Sequence, residues 1–254
     1  MKKVLLFALL VFSVSQLWAQ GELVEITKKA SEEDRNFRIP LIGEQAPSFT
    51  AASTNGIINF PGDFGRNWKI LFSHPQDFTP VCSSEIMELA NLQSEFDKLG
   101  VKLVVLSSDP LEIHKDWKKA LEQIEYKGKP VTKIKFPLVD DEKLIVSKQY
   151  GMIHSSTNST KDVRGVFIID PKDVIQAIYF YPMSVGRSTD ELLRMVSALK
   201  TTSASHVMTP ADWRAGNDVL IPVPPKVDAT SQKVVPDGFY QLAWFMWYKK
   251  SEVK

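Results

Sequence analysis

The chain has 254 residues, a formal charge of +1 and a single cysteine, Cys82. A balance this close to neutral gives no long-range attraction to nucleic acid or to acidic membranes, and one cysteine rules out an intrachain disulfide as a source of stability or catalysis. No clustered ligand set with zinc-like spacing occurs, so neither a metal nor a cofactor is expected.

Residues 1–19 follow the pattern of a signal peptide: Lys2 and Lys3, an apolar run from Val4 to Val14, then a polar stretch ending in Ala19. That run is too short for a membrane span, and nothing later reaches the ~20 apolar residues a transmembrane helix needs. An exported protein, periplasmic or extracellular, is therefore expected. Losing Lys2 and Lys3 takes the charge from +1 to −1, and about 235 mature residues suit one domain with an appendage. Residues 20–40, with Glu22, Glu25, Lys28, Lys29 and the charged run 31–35, read as a polar lead-in without chemistry.

Residues 68–74 have the apolar density of a buried strand, which stops at Pro75. Pro75 and Pro80 bracket a loop carrying Asp77 and Thr79. From Cys82 onward the period becomes helical, with Ile86, Leu89, Ala90, Phe96 and Leu99 on one face and Gly100 as the stop. The thiol then sits in a first helical turn, where unpaired N–H groups and the helix dipole favour a thiolate. Spacings of four and three put its sulfur on the apolar side, partly sheltered. Thr79, three residues earlier, can bring a hydroxyl to the sulfur or to a substrate oxygen. A lone cysteine is most often a small buried hydrophobe; the strand-loop-helix setting argues instead for a nucleophile.

Downstream, 101–108 reads as a buried strand and 111–124 as a helix opening after Asp109-Pro110. A short strand at 136–139 precedes a helix at 142–150 that Gly151 ends. Strands 166–169 and 174–181 form a hairpin around Asp170-Pro171-Lys172-Asp173, and 190–200 is a last amphipathic helix. This order predicts an α/β fold with a mixed central sheet flanked by helices. Arg164 opens an apolar strand, so its guanidinium must be paired or solvated. Lysines and glutamates from Lys115 to Glu125 read as a solvated helix face, and His114, His154 and His206 as structural or solvent-facing. Beyond Lys200, Pro222, Pro224, Pro225 and Pro236 favour extended arms over regular elements. The aromatic stretch 239–248 is expected to pack on its own core or on a second subunit.

Pro75-x-x-x-Thr79-x-x-Cys82, with Phe72-Ser73-His74 before it and Glu85 three residues after the cysteine, resembles the active-site signature of the peroxiredoxins, and of their one-cysteine subfamily in particular. Arg164-Gly165-Val166-Phe167-Ile168-Ile169-Asp170 resembles the family strand that delivers a catalytic arginine. Met208-Thr209-Pro210-Ala211-Asp212-Trp213-Arg214, followed by Gly216-Asn217-Asp218, is similar to the subfamily's C-terminal extension. The resemblance implies a thioredoxin-like domain over 41–200 and an extension over 201–254. It also implies a thiol peroxidase in which Cys82 attacks a hydroperoxide and becomes a sulfenic acid.

By the same resemblance Thr79 bonds the peroxide, Arg164 stabilises thiolate and oxyanion, Pro75 shields the sulfenic acid and Glu85 holds Arg164. Arg187 is a second cation, and His74 tunes the sulfur or its overoxidised form. With no second cysteine, an external thiol must resolve the sulfenic acid, either glutathione or a thioredoxin-like protein. A homodimer or higher homo-oligomer is implied as well. Some one-cysteine relatives carry Gly-x-Ser-x-Gly before the reactive strand; here Gly65-Arg66-Asn67-Trp68-Lys69 places an asparagine at the nucleophile position, so phospholipase activity is not implied. The competing expectation is an exported redox sensor or holdase whose assembly is switched by Cys82 oxidation.

Overall fold

The computed structural model describes residues 38–130, 132–158, 160–222 and 235–251. The expected leader at 1–19, nearly all of the lead-in at 20–40, and Pro224 and Pro225 lie outside the described residues. In chain order the elements of the main domain are β1 Phe49–Ser53, β2 Gly56–Phe60, β3 Trp68–Ser73, α1 Pro80–Lys98, β4 Val101–Ser107, α2 Leu111–Leu121, β5 Leu138–Asp140, α3 Ile145–Gln149, β6 Arg164–Ile169, β7 Ile175–Tyr181 and α4 Thr189–Ser205. The strands form one seven-stranded sheet in the order β2-β1-β5-β4-β3-β6-β7. Strands β3, β4 and β5 run parallel, whereas β6 is antiparallel to β3 and to β7. This is the mixed, helix-flanked thioredoxin-like sheet expected from the sequence.

Period-two alternation along the central strands divides the core into two layers. Ile70 and Phe72 of β3 face the same layer as Leu103, Val105, Val166 and Ile168, against Ile86, Leu89 and Phe96 of α1, Trp117 of α2, and Leu192 and Val196 of α4. Leu71, Val104, Leu106, Phe167 and Ile169 face the other way, onto Phe49, Phe60, Val146 and Tyr150. Each such side chain fully removed from water contributes about 1.5–3 kcal/mol, so the strand runs are held from both faces.

Several elements differ from the sequence reading. The β1/β2 hairpin was not expected, because Thr50, Ala51 and Ala52 dilute its apolar signal; a stacked Phe49–Phe60 pair, 5.1 Å between centroids, anchors it. Strand β5 begins at Leu138, since Pro137 has no N–H to give a ladder. Helix α3 is confined to Ile145–Gln149 because the Asp141 carboxylate accepts from Val146 N at 3.0 Å and Ser147 N at 2.7 Å, capping it late. Helix α4 continues past Lys200 to Ser205 and is capped by Ser188, whose hydroxyl accepts from Glu191 N at 3.2 Å.

The expectation of arms without regular elements beyond α4 is corrected. Strands β8 Val219–Leu220, β9 Phe239–Ala243 and β10 Met246–Lys249 form a second sheet in the order β8-β10-β9. Alternation in the aromatic stretch allows it to pair as a hairpin, with Tyr240 stacked on Tyr248 at 4.9 Å and Trp247 buried. Part of the aromatic surface is thus covered in cis. The hairpin tip is not: Leu242, Trp244 and Phe245 are 68%, 83% and 70% exposed.

Gly151, two residues past the end of α3, meets two independent demands. Its φ is +61°, and a Cβ there would lie 2.5 Å from Ile39 Cγ1 and 2.9 Å from the Ile39 backbone. Gly151→Ala should therefore lower stability by about 1–3 kcal/mol, read as a lower urea midpoint at unchanged slope. Gly62→Ala, where nothing lies within 4 Å of the added carbon, is the control and should change stability by less than about 0.5 kcal/mol.

Candidate active site

The carboxyl ends of the parallel strands β3, β4 and β5 share one edge of the sheet, and an antiparallel β6 brings its first residue to that same edge. Phe72 pairs with Val166, so Arg164 lies just past the end of β3, where the chain turns toward Cys82. Ser73 ties the two strand ends together: its hydroxyl donates to Val163 O at 2.8 Å and accepts from Gly165 N at 2.9 Å. Sheet register alone therefore carries Arg164 to the thiol across 82 positions of sequence.

Helix α1 starts as the sequence suggests, with Thr79 extended at the N-cap, Pro80 in the first turn and Cys82 third. Cys82, Ile86 and Leu89 are all 0% exposed, so the sulfur does lie on the apolar side. Its shelter is complete rather than partial, because Arg164, itself 2% exposed, packs its guanidinium against it. Arg164 Nη1 donates to Cys82 Sγ at 3.3 Å and to Glu85 Oε2 at 2.7 Å, while Nε and Nη2 donate to Met183 O at 2.9 and 2.5 Å.

Glu85 lies one helical turn after Cys82 and joins two arginines. Its Oε1 accepts from Arg187 N at 2.7 Å and Nε at 2.8 Å; its Oε2 accepts from Arg187 Nη2 at 2.8 Å as well as from Arg164. Arg187 Nη1 reaches Ser73 O at 2.7 Å and Gly165 O at 2.8 Å, and its guanidinium lies 3.3 Å from the centre of the Phe72 ring. Burial pushes Arg187 below its ordinary pKa, and the Glu85 hydrogen bonds oppose that. With Cys82 as a thiolate, the two guanidiniums face two anions and the buried cluster is neutral. The structure thus brings together Cys82, Glu85, Arg164 and Arg187.

The other sequence candidates occupy different positions around this group. Pro75 is buried in the loop after β3. Thr79 is half-buried, and its hydroxyl donates to Gln76 O at 2.9 Å rather than to the sulfur. That leaves its oxygen free to accept. His74 is fully buried, packed on Trp117 with ring centroids 5.0 Å apart. Neither of its ring nitrogens has a hydrogen-bond partner among the described residues, and burial pushes its pKa well below the usual histidine value, so the ring is neutral. It does not bond Cys82.

Two groups beside the loop had little signal in the sequence. His114, read only as structural or solvent-facing, is buried against Asp77, and Asp109 holds the Asp77 backbone. Asp77 lies inside the Pro75-to-Cys82 motif and Asp109 directly precedes Pro110, which were the available hints. Among the described residues no group of histidine, cysteine and carboxylate side chains is placed to hold a metal ion.

Comparison with known proteins agrees with this geometry. Residues 42–178 match the AhpC/TSA family and residues 198–235 the C-terminal domain of 1-Cys peroxiredoxin. A peroxiredoxin of Methanosarcina mazei is 47% identical over 219 residues, 85% of this chain and 100% of the relative. A mitochondrial peroxiredoxin of Saccharomyces cerevisiae is 39% identical over 217 residues, covering 83% of this chain and 81% of the relative. Among solved structures, a yeast mitochondrial 1-Cys peroxiredoxin superposes with a TM-score of 0.72 at 38% identity, over 84% of this chain and 100% of the other. Peroxiredoxin 6 of Arenicola marina gives 0.71 at 31%, over 85% and 100%. This chain belongs to the peroxiredoxin family and, with one cysteine and the matching C-terminal domain, to its 1-Cys branch.

Proposed function

We propose that Cys82 is the peroxide-reacting nucleophile of this thiol peroxidase and that Arg164, Glu85, Arg187, Thr79 and Pro75 serve its chemistry. The observation that carries the assignment is the 3.3 Å contact from Arg164 Nη1 to Cys82 Sγ within a buried, charge-balanced cluster. The thiolate attacks the terminal oxygen of a hydroperoxide; an S–O bond forms, the O–O bond breaks and its electron pair leaves on the second oxygen. A proton from solvent converts that oxygen to water or an alcohol, and Cys82 is left as a sulfenic acid. Arg164 follows the negative charge from sulfur to the leaving oxygen, a differential interaction that lowers the barrier. Glu85 and Arg187 keep it there. Thr79, whose own proton is committed to Gln76 O, accepts the hydroperoxide O–H, and Pro75 keeps water from the sulfur.

Resolution falls to an external thiol, which condenses with the sulfenic acid to a mixed disulfide and water; a second thiol then releases Cys82. The yeast neighbour is described as resolved through glutathione and thioredoxin systems, and a single cysteine places the same demand on this chain. Rapid mixing of the reduced protein with hydrogen peroxide, followed by trapping, should yield one sulfenic acid per chain at a rate far above that of free cysteine, and none in Cys82→Ser. Arg164→Lys should lower the second-order rate about 10²-fold, since an ammonium has no fork to span the sulfur, Glu85 and Met183 O. A wild-type rate equal to that of free cysteine, or an unchanged Arg164→Lys rate, rejects the assignment.

Assembly as a homodimer or larger homo-oligomer is part of the same reading, supported by the edge position of β7 and the exposed tip Leu242, Trp244 and Phe245. Light scattering at micromolar concentration should give at least twice the chain mass, falling when Trp244 and Phe245 are both changed to Ser. A monomeric mass in the wild type removes the dimer. Export rests on the leader pattern of residues 1–19. Mass spectrometry of the protein recovered from its cells should find Gln20 as the first residue, and retention of residues 1–19 would count against export.

A further inference from the structure

Beside the charged cluster lies a buried pair that the peroxide chemistry leaves unused. His114, on the inner face of α2, and the Asp77 side chain are both fully buried. His114 Nδ1 is 2.6 Å from Asp77 Oδ2, and Nε2 is 3.0 Å from Val139 O. A carbonyl oxygen only accepts, so Nε2 carries a hydrogen. A 2.6 Å contact between Nδ1 and a carboxyl oxygen needs a second hydrogen between them, on either atom. Together the two side chains therefore hold two protons and no net charge. Without the bridging proton, the Nδ1 lone pair would face a carboxylate at that distance. Burial pushes the Asp77 carboxyl above its ordinary range, against the pull of its His114 hydrogen bond, which is in keeping with a retained proton.

The same Asp77 is tied through its backbone. Its N–H donates to Asp109 Oδ2 at 2.6 Å, and Asp109 Oδ1 accepts from Lys161 Nζ at 3.0 Å. Asp77 is thus tied directly to α2 and to the turn after β4, and through His114 to Val139 in the middle of β5. The next residue, Phe78, has φ of 54° and is 58% exposed. A bulky side chain in that conformation is costly and persists only where its neighbours over-determine it. On one side the fixing residue is Asp77; on the other, Thr79 bonds Gln76 O and begins α1.

We propose that Asp77 and His114 form a proton-held clamp, a pair of positioning residues that keeps the Pro75–Thr79 loop and the first turn of α1 in the geometry for peroxide attack, and that removing the shared proton slows Cys82 oxidation. The clamp rests on the peroxidase reading. Two titratable groups act on the pair directly: from the loop after β3, His74, with Nε2 3.5 Å from Asp77 Oδ1, and from the turn after β4, Asp109, whose carboxylate also holds Lys161. Farther out, Arg164 and Arg187 act on His74, and Asp141 and Asp162 neighbour Asp109 and Lys161. Burial pushes His74 down and the Asp162 carboxyl up from their ordinary values, each toward its uncharged form.

The test compares the second-order rate of reduced protein with hydrogen peroxide across pH, alongside imidazole nitrogen NMR of protein labelled with ¹⁵N-histidine. In the wild type the rate should fall, as pH rises, over the interval in which the His114 nitrogen signal moves. Asp77→Ala should be about tenfold slower at neutral pH. Asp77→Asn keeps a donor for Nδ1 that cannot be lost, so it should recover most of that rate and show no alkaline fall. A wild-type rate indifferent to the His114 transition overturns the clamp, as does an Asp77→Asn profile with the same fall, or a fall that merely tracks loss of the circular dichroism signal. Should the variants not fold, the wild-type comparison decides alone. A wild type no faster than free cysteine would instead defeat the peroxidase reading, so the two failures are distinguishable.

Discussion

The carboxylate of Glu85 is the constraint on which the site depends. Two guanidiniums that are almost fully buried share it through four hydrogen bonds, counting the Arg187 backbone N–H among them. Breaking a buried charge pair by removing one partner costs about 3–5 kcal/mol, because the survivor is left uncompensated. Arg164 and Arg187 are therefore held in place by the same group, and neither can move without exposing the other's imbalance. What remains after Glu85 is counted is one positive charge directed at Cys82 Sγ. A thiolate at Cys82 would complete the cluster, so that a reactive anion is kept away from solvent without becoming an unpaired buried charge.

That arrangement is a consequence of sheet topology before it is a matter of side chains. If β6 ran parallel to β3, its first residue would lie at the opposite edge and Arg164 would face the wrong end of the domain. Antiparallel pairing with Phe72 opposite Val166 puts Arg164 beside the β3–α1 loop, and the Ser73 hydroxyl, bonded to both Val163 O and Gly165 N, prevents a slip of register at that point. Arg187 enters from the far side, on the segment before α4, and lies over Phe72 while bonding the carbonyls of Ser73 and Gly165. One arginine is aimed by the sheet, and the other ties the end of that sheet to the helix carrying the cysteine.

How legible this was depends on how local each feature is. Strands β3, β4 and β6 announce themselves as apolar runs buried on both faces, and α1 by its spacing from Cys82 to Phe96. The β1/β2 hairpin and the small C-terminal sheet do not, since Thr50 and two alanines blur the first and prolines suggest arms for the second. Glu85 follows Cys82 at a helical interval and was readable beside it. Arg187 is 102 residues from Glu85, and only likeness to a family pointed to it. The Asp77–His114 contact was out of reach of local pattern: it exists because α2 packs its inner face, through Trp117 and His114, against the loop, and a histidine amid Lys115 and Lys118 reads as part of a solvated helix.

The two halves of the catalytic cycle place opposite demands on one atom. Oxidation by a small peroxide favours a sulfur sealed beside Arg164, as found here with Cys82 at 0% exposure. Reduction by a separate thiol requires that thiol's sulfur to approach Cys82 directly, a path the sealed arrangement closes. The fold confines this conflict to a short stretch. Ile86, Leu89 and Phe96 bury the rest of α1 in the core, whereas Cys82 lies in its first turn, where helix hydrogen bonding is incomplete and opening costs less than global unfolding. Immediately before that turn stands Phe78 in a conformation that disfavours a bulky residue. Strain there lowers the cost of leaving the sealed geometry, and the ties at Asp77 and Thr79 raise it.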